Sequence, residues 1–116
     1  MAEVVERFLA AMTAHDWDAM AACLTDGPFT RVGPYLDTYA SKPEYIAYIS
    51  TMLPTLPGYS MEISRISPVG SVVYAELTET VAHPDGKPLR TPECLVFELD
   101  DRGLIARVEV FIQNAG

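Results

Sequence analysis

Apolar residues in this chain recur first at helical spacing and then, from residue 59 onward, at every second position. Val4, Val5, Phe8, Leu9 and Met12 fall on one stripe with Glu3, Glu6 and Arg7 between them, which predicts an amphipathic helix over 2–13. His15-Asp16 interrupts the pattern. Asp16 suits the N-cap of a second helix carrying Trp17, Met20 and Leu24 and closed by Gly27-Pro28. A short extended piece over 29–32 leads into a loop of turn formers from Gly33 to Ala40. Ser41-Lys42-Pro43-Glu44 is a capping box with proline in the first turn. The third helix it opens presents Tyr45, Ile46, Ile49, Met52 and Leu53 on one stripe and ends at Pro54.

Strict alternation then takes over. One strand is expected over 59–66, and Pro68-Val69-Gly70 turns the chain into three more strand-length segments separated by Asp85-Gly86 and Asp101-Arg102-Gly103. In the segment 72–82 one face carries Val73, Ala75, Leu77, Glu79 and Val81, apolar but for Glu79. In the next, Glu93 shares a face with Leu95, Phe97 and Leu99. In the last, alternation groups Ile105, Arg107, Glu109, Phe111 and Gln113 against Leu104, Ala106, Val108, Val110 and Ile112. Glu109 therefore falls among aromatic and aliphatic neighbours, as Glu79 does. A carboxylate on an apolar face needs a partner, water or a raised pKa. Helices followed by antiparallel strands predict an α+β domain, the helices covering one sheet face and leaving a pocket at the open end. The other face, with Tyr74, Thr78, Cys94, Val96, Val108, Val110 and Ile112, reads as too apolar for solvent and suggests an interface.

Composition narrows the partners. The 116 residues suffice for one domain over 1–116 with its own core. A net charge of −8, with eight scattered Lys and Arg, argues against nucleic acid and anionic membranes. No apolar run reaches membrane-spanning length and the opening residues are not signal-like, so a cytoplasmic protein is expected. Cys23 and Cys94 lack metal spacing and read as reduced thiols. His15 and His83 fall in turns beside no nucleophile. No metal or other cofactor is expected.

The opening Val4-Val5-Glu6-Arg7-Phe8-Leu9-Ala10-Ala11, followed by His15-Asp16-Trp17, resembles the nuclear transport factor 2-like superfamily. So do the helix start Ser41-Lys42-Pro43-Glu44-Tyr45-Ile46, the hairpin from Leu95 to Gly103, and the run Ile105-Ala106-Arg107-Val108-Glu109-Val110-Phe111. More narrowly, the chain is similar to the SnoaL-like and limonene epoxide hydrolase-like branch. The resemblance implies a cone-shaped fold, three N-terminal helices packed on a curved antiparallel or mixed sheet, and a homodimer through the outer sheet face. The superfamily hosts isomerases, epoxide hydrolases, polyketide cyclases, dehydratases and many non-enzymes. Set against the limonene epoxide hydrolases, Glu79 and Glu109 take the places of the two acids. Leu77 stands where the arginine between them would be, and Arg31 and Gly33 fall near the water-holding tyrosine and asparagine. Arg31, projecting from the opposite wall, would restore a cation. The cyclases and ketosteroid isomerases use a single acidic base, a role open to Glu79 or Glu109.

Two carboxylates in one apolar pocket push their pKa values apart, leaving one as acid and one as base. Such a pair suits proton abstraction beside a carbonyl, a double-bond shift, or water attack on an epoxide. The expectation is a small cofactor-independent enzyme acting on a small apolar molecule, with Glu79, Glu109 and Arg31 catalytic. Trp17, Tyr35, Leu77, Glu93, Leu95, Phe97, Arg107 and Phe111 are expected to line its ligand site. The alternative is a non-catalytic binding or dimeric structural module, its glutamates paired with Arg31, Arg65, Arg90 or Arg107.

Overall fold

A computed structural model describes residues 2–113 of the chain. Helix α1 (Glu3–Thr13) and helix α2 (Trp17–Ala22) are separated by a tight turn in which His15 takes φ 58°. Asp16 caps α2, its Oδ1 accepting the Ala19 N–H at 3.1 Å. Strand β1 (Thr30–Val32) follows, then β2 (Thr38–Tyr39), a pairing too short to show as alternation inside the expected loop. At the start of α3 (Lys42–Met52), Ser41 Oγ accepts the Glu44 N–H at 3.3 Å, while the Glu44 carboxylate reaches back to the Ala40 N–H at 3.1 Å. A short 3-10 turn, Leu53–Thr55, precedes four long strands: β3 (Ser60–Val69), β4 (Val72–Ala82), β5 (Pro88–Leu99) and β6 (Ile105–Ile112). Gly86 (φ 87°) and Gly103 (φ 80°) close the β4–β5 and β5–β6 hairpins in the left-handed region, which suits glycine.

The strands form one sheet in the order β2-β1-β6-β5-β4-β3. Strands β3 to β6 are an antiparallel meander. Strand β1 joins β6 in parallel, with Arg31 opposite Val108, and pairs antiparallel with β2, with Arg31 opposite Tyr39. The result is the expected α+β arrangement, helices packed on a curved mixed sheet. At one end of the inner face the core is closed. Val5, Phe8 and Leu9 of α1, all without exposed surface, lie in one buried cluster with Val73, Ala75, Phe97, Ile105 and Val108. The Phe8 and Phe97 rings meet edge to face at 5.6 Å.

Two register shifts reset the alternation that the sequence suggests. One lies in β3 between Ile63 and Arg65. The other lies in β6, where Leu99 pairs with Ile105 but Glu98 pairs with Arg107, so that Ala106 is an extra residue. Ile105 is buried on the inner face, and beyond the bulge the inner positions are Val108, Val110 and Ile112. Arg107, Glu109 and Phe111 therefore face outward. This corrects the inward placement of Glu109, which assumed unbroken alternation from Ile105. It also removes Val108, Val110 and Ile112 from the expected outer apolar patch. Tyr74 remains exposed there and Phe111 joins it, on a face that also carries Glu76, Glu98, Arg107 and Glu109.

Candidate functional site

Away from the closed core, the inner face opens into a cavity of about 410 Å³ between α3, the sheet and the loop after β1. Its walls are mostly apolar: Ile49, Met52 and Leu53 on the helical side, Leu95, Val108 and Val110 on the sheet side. Two of its three carboxyl groups, those of Glu79 and Glu93, meet on the sheet wall, and the third, Asp37, stands beside Arg31.

Glu79 on β4 lies opposite Thr91, and Glu93 on β5 lies opposite Leu77. The two glutamates are thus diagonal neighbours on one sheet face, within reach of long side chains. Their carboxyls share a hydrogen bond. Burial pushes the Glu93 carboxyl up to about 9, helped by that hydrogen bond and by the charge of Glu79, while Arg31 pulls the other way. Glu93 therefore keeps its proton at neutral pH and donates it to Glu79. Tyr59, just before β3, donates its hydroxyl to Oε2 of Glu79 as well. Burial first, then Glu79, raises the Tyr59 phenol far above its ordinary value, so it too stays a donor. Glu79 accepts from both sides. One proton-bearing acid and one acceptor carboxylate share a hollow whose facing wall carries Arg31 and Asp37.

Arg31, on β1, forms part of the facing wall and is only 8% exposed. Its Nη1 donates to Asp37 Oδ2 at 3.0 Å. Its guanidinium carbon lies 5.8, 5.5 and 5.5 Å from the ring centroids of Tyr39, Tyr45 and Tyr48. Its Nε is buried without a hydrogen-bond partner. An unpaired buried donor costs about 1–3 kcal/mol, so this one calls for an acceptor.

Of the residues expected to form the site, Arg31, Tyr35, Glu79, Glu93 and Leu95 line the cavity. Leu77 and Phe97 face inward but are sealed in the core, 2% and 0% exposed, and do not reach it. Trp17 lies in the α1–α2 region, stacked on His15 at 5.2 Å, and is not part of the wall. Arg107, Glu109 and Phe111 are on the opposite face, where Arg107 Nε donates to Glu109 Oε1 at 3.2 Å and lies 3.6 Å from Glu98 Oε2. The acid that meets Glu79 is Glu93, not Glu109. Asp37, Tyr45, Tyr48 and Tyr59 were not singled out from sequence. Tyr45 and Tyr48 share one face of α3 by their spacing of three, a detectable signal. Tyr59 becomes legible only once Met61 is known to pair with Glu79. Among the described residues no group of three or more His, Cys, Asp or Glu side chains could hold a metal ion. Cys23 is buried and free, and Cys94 is half-buried and free. No helix among the described residues is long and apolar enough to cross a membrane.

The model of the SnoaL-like domain matches residues 5–108. No curated protein matches the chain. Among solved structures, an LEH-like epoxide hydrolase from M. tuberculosis superposes with a TM-score of 0.80 at 24% identity, covering 96% of this chain and 80% of that one. A protein of ketosteroid isomerase-like fold from Catenulispora acidiphila, solved with trimethylamine, gives 0.80 at 14% identity, with coverages of 94% and 84%. A nuclear transport factor 2-like protein of unknown function from Cytophaga hutchinsonii gives 0.80 at 15% identity, with coverages of 97% and 99%. At these identities the likeness is one of fold.

Proposed function

The chain belongs to the SnoaL-like domain family, and we propose that it is a small cofactor-independent enzyme using Glu79 as base and Glu93 as acid on a small hydrophobic metabolite. The observation that carries this reading is the hydrogen bond between the two carboxyls in the apolar cavity, with Glu93 held protonated. An acid and a base side by side in a poorly solvated hollow are matched to moving a proton between carbon and oxygen. Glu79 takes a proton from the substrate. Glu93 supplies one to the oxygen where charge develops. Tyr59 fixes the Glu79 carboxylate in place.

The family includes isomerases, cyclases and epoxide hydrolases. Activation of a water for attack on an epoxide and abstraction of a proton from carbon would use the same base, Glu79. The test is a panel of small enones, β-dicarbonyl compounds and epoxides assayed with the wild type, Glu79→Gln and Glu93→Gln. Turnover of one class should vanish in both variants while their melting temperatures stay near the wild-type value. A Glu79→Gln protein with full activity on that substrate would reject the assignment.

A further inference from the structure

Arg31 is the one Lys, Arg or His among the described residues that line the cavity, and most of its hydrogen-bonding capacity is unused. The guanidinium fork can serve several acceptors in its plane. Asp37 takes Nη1 at 3.0 Å, and Nε has no partner. The tyrosine rings around it hold the cation by their faces but fill none of its in-plane positions. A ligand oxygen entering along this wall would meet the guanidinium positions that Asp37 leaves free.

We infer that Arg31 anchors an acceptor oxygen of the ligand and that Asp37 sets its charge, selecting an uncharged carbonyl compound over a carboxylate. The inference rests on the cavity being the substrate site, as proposed above. Its argument is the charge count along the wall. The ionisable carboxyls there are Asp37, Glu79 and Glu93, and the sole cation is Arg31. Asp37 neutralises Arg31, and Glu93 keeps its proton, so Glu79 leaves the hollow negative. A carboxylate ligand would add a second negative charge where solvent screens poorly and where the cation is already paired. A carbonyl oxygen takes the charge-assisted hydrogen bond without that penalty.

The Arg31–Asp37 pair is built into the loop. A Cβ at Gly33 would overlap both Asp37 carboxylate oxygens and Nη1 of Arg31, so the two groups meet only because position 33 has no side chain. Asp37 Oδ1 also accepts the Tyr35 N–H at 3.3 Å, which ties Arg31 to the residue at the cavity mouth. Asp37 and Gly33 are therefore positioning residues for Arg31, and Asp37 is also a specificity determinant.

The experiment measures binding to the full chain of three probes with one ring system: 2-acetonaphthone, 2-naphthoate and naphthalene. The wild type should prefer the ketone to both others by about tenfold or more. Asp37→Asn frees the Arg31 charge, and naphthoate affinity should rise about tenfold with naphthalene unchanged. Gly33→Ala should move the order the same way, and Arg31→Met should bind the ketone no better than naphthalene. Asp85→Asn, a remote surface carboxylate, serves as the control for net charge and should keep the wild-type order. Wild-type protein that binds naphthoate as well as the ketone, or binds none of the probes, overturns the inference. So does an Asp37→Asn protein with unchanged preferences. Because the readout is binding, a chain with the expected probe order but no turnover on any substrate would refute the catalytic reading alone.

Discussion

The two faces of the same sheet treat glutamate in opposite ways. Outward, Glu76 pairs with Arg65, and Glu98 and Glu109 flank Arg107 at 3.6 and 3.2 Å. The hydrogen bond from Arg65 holds Glu76 below its ordinary value. Inward, three residues from Glu76 and five from Glu98, Glu79 and Glu93 share a proton, and Arg31 acts on Glu93 only from the facing wall, where its guanidinium pairs with Asp37. Residue type is the same, and so is the strand for Glu76 with Glu79 and for Glu98 with Glu93. What differs is whether solvent and a cation are within reach, and that difference turns an ion-pair network into an acid–base pair.

Breaking the inner pair should have the largest effect. Glu79→Gln is expected to lower kcat by about 10²–10⁴-fold, the usual worth of a positioned general base. Glu109→Gln, its outward counterpart in the same sheet, should leave kcat unchanged; equal losses in the two variants would abolish the contrast between the faces. Next comes the pH response of Glu93. Folded, it keeps its proton up to about 9; unfolded, it releases it near 4.5. Between those values the folded chain binds the extra proton, so the stability tied to this group is complete below about 4.5 and falls as pH rises toward 9. Glu93→Gln mimics the protonated carboxyl and should flatten that stretch of the melting-temperature profile. A mutant profile running parallel to the wild type's would place the titration elsewhere. The same deprotonation removes the acid, so wild-type kcat should decline as pH passes about 9.

Tyr59→Phe removes one donor from Glu79 and should shift the kcat profile while changing rate by about tenfold, less than either glutamate substitution. An unchanged profile would mean that Tyr59 serves packing alone. The smallest effect is expected outside. Arg107→Ala breaks solvent-accessible, half-buried pairs worth about 1 kcal/mol or less, so chemical denaturation should detect little and turnover nothing.

Much of the architecture was readable before any coordinates, because its signals are local. The Asp16 cap, the Ser41–Glu44 box, and the Asp85-Gly86 and Asp101-Arg102-Gly103 turns each act within a few residues, and the structure uses them all. Glu79 was legible for the same reason: it is the lone carboxylate on an otherwise apolar alternating face. Glu109 misled because one inserted residue, Ala106, inverts the facing of everything after it. Strand β2 was missed because two residues carry no periodicity.

By itself, then, the chain specified its helices, its long strands, its turns and the presence of acids in an apolar setting, since all of these follow from neighbours in sequence. Which acid meets Glu79 was decided by the β4–β5 register and the β6 bulge, and the position of Arg31 by the parallel pairing of β1 with β6. Those are contacts between residues far apart in the chain, settled by whichever alignment buries the most apolar surface, and no local pattern encodes them.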